Sequence, residues 1–194
     1  MCNSVVIMTG KIASPLLVAR ARRRRKALAP AGPIRDLQDF SELYYSAATE
    51  LAGKRRAGSI EDVPILFLFR HAIELAIKAV LINAGIPESA VFARGHDLAK
   101  QLPDLQNVAN RLGFPLTASL EKTVRCWNDN DPDGMVARYP LDKKGKPMQL
   151  ANEMRFQLRP FVETATEVLE ELHEIIRDQQ YEEYQRLLDH EGIR

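Results

Sequence analysis

Cysteine is scarce in this chain: among its 194 residues only Cys2 and Cys126 carry a thiol. Two thiols, one of them beside the start, exclude a disulfide framework and the usual zinc spacings, and they fit a reducing, cytoplasmic setting. Long apolar runs are missing too. The longest, residues 63–69, stops at Arg70, well short of the roughly 20 apolar residues that a bilayer span requires, so no membrane partner is expected. A glycine-rich phosphate loop, a nucleophile elbow and paired metal-ligand spacings are all absent, which leaves no cofactor and no metal to expect. No alternating pattern is long enough to build a sheet, and no internal repeat is present.

Acidic residues are also missing, but only from one end. Up to Arg35 the chain has eight basic side chains (Lys11, Arg20, Arg22, Arg23, Arg24, Arg25, Lys26 and Arg35) and no acidic one, although the net charge of the whole is +1. The remainder carries a net −7, so a basic arm precedes an acidic body. The arm is no secretory signal, because its positive cluster follows the weakly apolar stretch 12–19 instead of preceding it. An organelle transit peptide, a phosphate-neutralising contact with nucleic acid and a disordered extension upstream of a second start at Met8 all stay open. The breaker cluster Pro30, Gly32 and Pro33 places the boundary, with a disordered basic arm over 1–33 and one helical domain over 34–194.

Within the domain the spacing of apolar residues predicts helices throughout. Asp39 or Ser41 can cap a first helix that runs to about Gly53. A second spans about 64–84, with Ser59 as a plausible cap before it and Gly85 ending it. Gly95-His96-Asp97-Leu98 reads as a third helix start, with His96 or Asp97 as the cap and Pro103 kinking or dividing the helix. A fourth covers 117–127, and residues 128–149 form the longest irregular stretch. In the last helix Met154, Leu158, Phe161, Ala165, Val168, Leu172 and Ile175 alternate steps of four and three, a heptad seam, while Glu163, Glu167, Glu170, Glu171 and Glu174 mark its outer face. The fold class expected is all-α, an antiparallel up-and-down bundle of four to five helices.

The second helix carries the most information. At about 100° per residue, Arg70, Glu74, Lys78 and His71 fall at roughly 0°, 40°, 80° and 100°, and almost every other position around the wheel is apolar. A helix apolar on most sides belongs in the interior, so its four polar groups either line a narrow wet groove or satisfy one another. Glu74 is four residues from both Arg70 and Lys78 and can bridge them. Such a seam equally well fixes register or pairs two subunits.

The run from Phe69 to Ala79, with Arg70-His71, Glu74-Leu75 and Lys78, followed by Gly95-His96-Asp97-Leu98, resembles the HEPN superfamily, specifically its small bacterial members. Arg138-Tyr139-Pro140 is similar to an Arg-Tyr-Pro element of the same group. The resemblance covers about residues 34–178. It implies an up-and-down bundle, commonly dimeric, in toxin–antitoxin or phage-defence systems, as a metal-independent ribonuclease or as partner of a minimal nucleotidyltransferase. Ribonuclease members carry an arginine, four to six residues, then a histidine; none of the four histidines here has that spacing.

Three functions are expected on these grounds. The first is an RNA-binding or RNA-cleaving module, with His71 and His96 moving protons, Arg70 or Arg138 on the phosphate and Tyr139 nearby. The second is a non-catalytic homodimeric interaction module, partnering a nucleotidyltransferase-like or other protein from a neighbouring gene. The third is nucleotide recognition by Arg70, Lys78 and Arg138, with Glu74 in the same ligand-binding set.

Overall fold

The computed structural model describes residues 36–54, 62–131, 133–134 and 158–190. The chain divides into two units, Met1–Arg35 and Asp36–Arg194, and all described residues belong to the second. The basic arm, the Ser59 cap, Arg138, Tyr139 and Met154 lie outside the described residues. Among those described there are six helices and no strand: α1 (Leu37–Lys54), α2 (Asp62–Asn83), α3 (Glu88–Phe92), α4 (Leu102–Arg111), α5 (Ala118–Asn130) and α6 (Leu158–His190). None is long and apolar enough to cross a membrane.

The second helix predicted from the sequence is the centre of the unit. Every residue of α2 from Ala72 to Leu81 is buried, as an all-round apolar helix must be. It packs against α1, α3, α4 and α6. Gly85, at φ +85°, ends it as expected. The Gly85 amide bonds Ile82 O at 2.9 Å and the Ile86 amide bonds Leu81 O at 3.1 Å, the paired closure that a left-handed residue permits.

Three helix starts show where residue type decides and where it does not. Asp36, not Asp39 or Ser41, caps α1, its Oδ1 accepting from the Asp39 amide at 3.0 Å. Thr117 caps α5 as its residue type suggests, accepting from the Leu120 amide at 3.1 Å. The segment 95–98 is not a helix start: residues 93–96 turn, and α4 begins at Leu102. Pro103 then sits in the first turn, where its missing N–H costs nothing, so it neither kinks nor divides a helix. His96 is accordingly not a cap, while Asp97 Oδ1 accepts from the Lys100 amide at 3.2 Å.

The heptad residues Ala165, Val168, Leu172 and Ile175 are buried on α6, and Leu169, His173, Ile176 and Gln179 widen the seam to a broad face. Aromatic rings fasten its start to the core. Phe161 stacks on Trp127 at 4.6 Å and meets Phe69 edge-on at 6.0 Å. A side chain of α6 and one of α1 also bond main-chain carbonyls of α2. Gln179 Nε2 donates to Val80 O at 2.9 Å, and Ser41 Oγ donates to Ala72 O at 2.9 Å.

With its only proton spent on Ala72, Ser41 must accept from His173 Nε2, which lies 2.9 Å away. That direction fixes the His173 tautomer and keeps the serine from acting as a nucleophile. Burial, helped by the Arg177 charge, pushes the His173 pKa down to about 4. An unfolded chain takes up this proton near pH 6.5 and the folded one only near pH 4, so the group favours unfolding increasingly as pH falls through that window. Urea titrations should show about 3 kcal/mol of stability lost to this group between pH 6.5 and pH 4. His173→Gln keeps a donor for Ser41 without a titrating ring and should remove that part of the loss. An equally steep loss in the variant would contradict the assignment.

Candidate functional site

The polar groups of α2 meet around one carboxylate. Arg70, Glu74 and Lys78 follow each other at one-turn spacing, which stacks their side chains on one helix face. Glu74 is 1% exposed. Its Oε2 lies 3.1 Å from Arg70 Nη1, and its Oε1 lies 2.7 Å from Lys78 Nζ. A fourth group arrives from the turn after α3: His96 Nδ1 lies 2.8 Å from Glu74 Oε1 and 3.1 Å from Oε2.

Arg70 also fastens two distant stretches of backbone. Its Nη2 donates to His96 O and to Asp131 O, both at 2.9 Å, and its Nε lies 3.5 Å from Asp131 Oδ2. Gly134, at φ +69°, packs so closely on the guanidinium that a Cβ there would stand 2.9 Å from Nη1. Arg70, Lys78 and Asp131 are all buried, so two cations face two carboxylates in a network closed to water. Burial alone would push the Glu74 pKa up. The Lys78 hydrogen bond, with the charges of Lys78, His96 and Arg70, outweighs that and holds it below the ordinary carboxylate value.

His96 is the member that reaches solvent, its side chain 41% exposed. With Nδ1 committed to an ionised carboxylate, the ring in its neutral form carries its proton there and presents a lone pair at Nε2. Nε2 takes no hydrogen bond among the described residues. The arrangement therefore offers one oriented imidazole on a rigid base. It offers little free positive charge, because Arg70 and Lys78 are already paired. Among the described residues no three His, Cys, Asp or Glu side chains gather as a metal cluster.

Of the residues singled out in the sequence, Arg70, Glu74, Lys78 and His96 thus come together. His71 does not. Its ring stacks on Phe67 at 5.5 Å and meets Tyr44 edge-on at 4.5 Å, because it stands at the far edge of the seam, where α1 covers the helix. Asp131 and Gly134 were not anticipated. The Asn-, Asp- and Gly-rich stretch around them signals irregular backbone, but nothing local signals a charge 61 residues from its partner.

No family model, curated protein or solved structure matches the chain.

Removing the central carboxylate leaves two buried cations short of a partner. Glu74→Ala should lower the urea-derived stability by about 3–5 kcal/mol. Gly134→Ala should cost about 1–3 kcal/mol through its backbone angle and its approach to Arg70. The exposed Glu167→Ala should stay within about 0.5 kcal/mol, and a similarly small loss in Glu74→Ala would show that the network contributes little.

Proposed function

We propose that this chain is a HEPN-like helical bundle that acts on RNA, with His96 as its proton-transfer group, in a bacterial defence or toxin–antitoxin type system. The observation that carries this reading is the Glu74–His96 pair. The two halves of the sequence resemblance, the Arg-His…Glu-Leu…Lys helix and the Gly-His-Asp-Leu turn, are 22 residues apart at these positions and touch at 2.8 Å. A carboxylate that fixes the tautomer of a half-exposed imidazole is the arrangement a general base needs.

In the step proposed, His96 Nε2 takes the proton of a ribose 2′-hydroxyl. The freed oxygen attacks the adjacent phosphorus, and the 5′-oxygen leaves and takes a proton from water, giving a cyclic phosphate and a 5′-hydroxyl, while His96 returns its proton to solvent. Arg70 serves this step by position, since its donors hold the His96 and Asp131 carbonyls and are not free for phosphate. Arg138 and Tyr139 belong to the reading on sequence grounds alone. Turnover of single-stranded RNA, with and without divalent metal, should fall about 10²–10⁴-fold in His96→Ala. Undiminished turnover in that variant would rule out His96 as the base.

A second reading, a non-catalytic homodimeric module, is favoured by the end of α6. Tyr181, Tyr184 and Leu187 are 64%, 57% and 55% exposed there, and no residue beyond Gln179 on that helix is buried. Sedimentation should then find a dimer that Tyr181→Ser with Tyr184→Ser weakens. A wild-type monomer removes this alternative.

A further inference from the structure

Phe92, the last residue of α3, is an exposed ring with an unusual neighbour. It is 49% exposed, and Lys78 Nζ lies over it, 5.3 Å from its centroid. A single exposed phenyl ring says nothing in itself. This one, however, has a buried ammonium under one face, and that ammonium belongs to the network that holds His96.

The chain between the two rings is a tight turn. The Gly95 amide bonds Phe92 O at 2.9 Å, and Gly95 takes φ +61°, so Phe92 and His96 stand at the two ends of one turn. Both bear on the same ion pair, Phe92 through Lys78 and His96 through Glu74. Laid end to end, the contacts from ring to ammonium to carboxylate to imidazole place the Phe92 ring centre within about 11 Å of His96 Nδ1, a span that one base and its own ribose can bridge when each contacts its ring.

The surroundings decide what kind of ligand suits this pair. Ser89, Ala90 and Ala93 beside Phe92 are small and exposed, so there is no contiguous apolar patch of the size a protein interface needs. A flat aromatic ligand needs only the open face of one ring, and the cation beneath that ring adds to its attraction for an electron-rich partner. The neighbouring cations are paired with carboxylates, so a phosphate backbone finds little free charge here.

We propose that Phe92 and His96 bracket a subsite for one unstacked nucleobase and its ribose, with the base on the Phe92 ring and the sugar hydroxyl at His96 Nε2. This rests on the RNA-directed reading above and narrows it to single-stranded RNA, because a paired base cannot offer its face to a side chain.

The test measures binding of a 5′-fluorescein-labelled single strand, 2′-O-methylated except at its 3′-terminal nucleotide, to the full chain by anisotropy; the terminal 2′-hydroxyl is kept for His96 and has no 3′-phosphate to attack. Phe92→Ala should weaken binding about tenfold, and Phe92→Trp should restore it. The ratio of wild-type to Phe92→Ala affinity should stay the same from low to physiological salt, since stacking releases no counterions. An abasic strand of equal length should not distinguish wild type from Phe92→Ala. Equal affinity of wild type and Phe92→Ala for the base-bearing strand would overturn the subsite and leave RNA binding standing. Failure of the wild type to bind any single strand would overturn both readings.

Discussion

A carboxylate taken out of water is costly unless its charge is answered, and Glu74 is answered from three sides. Arg70 and Lys78 flank it from the turns before and after, and His96 closes the open side from another segment. The two helical partners are dictated by the spacing of four along α2, but the third is not. A helix buried on all sides could have carried leucines at these positions with less electrostatic risk. The charges supply direction instead: they bind two irregular segments to a fixed point on the helix, which an apolar contact would leave free to slide.

Arg70 shows the same logic in its geometry. Its guanidinium is planar, with donors in a fixed fork. One nitrogen serves the carbonyls of His96 and Asp131 together, while another serves Glu74. A lysine could not span these acceptors, and a side chain on Gly134 would collide with the fork. The glycine, the arginine and the glutamate form one unit. The sequence separations involved are 26 and 61 residues, so this unit closes long loops and gains its stability only once the helices around α2 are in place.

That dependence separates the features legible in the chain from those that were not. The burial of α2, the end of that helix at Gly85, the start of α5 near Thr117 and the apolar seam of α6 all come from periodicity or from the preference of one residue type. These are local causes, and local causes are legible. The Arg70–Glu74–Lys78 pairing was legible for the same reason. A polar Gly-His-Asp run resembles a cap, but Glu74 holds this histidine in a turn and α4 starts only at Leu102. The wheel angle of His71 places it at the edge of the seam, yet its ring packs on Tyr44 of α1 and Phe67 of its own helix. Asp131, Gly134 and Phe92 act through partners whose identity depends on the fold, so no window of sequence displays them.

The division of labour within the network also bears on chemistry. A proton-transfer group must face solvent or substrate, whereas the groups that aim it work best away from water, where their electrostatic interactions are stronger and less screened. Here that separation runs through a single side chain. The Nδ1 edge of His96 belongs to the buried network, and the rest of the ring opens outward. Its main chain is held by the same helix one turn earlier, through Arg70. Both the position of the ring and its rotation are thus set from α2, the most deeply buried element of the unit. A mobile loop histidine would have to pay for that order at each encounter with a ligand. Fixing it in advance gives the imidazole a single orientation toward solvent before any ligand arrives, and the pairs that do so also tie the segments around His96 and Asp131 to α2.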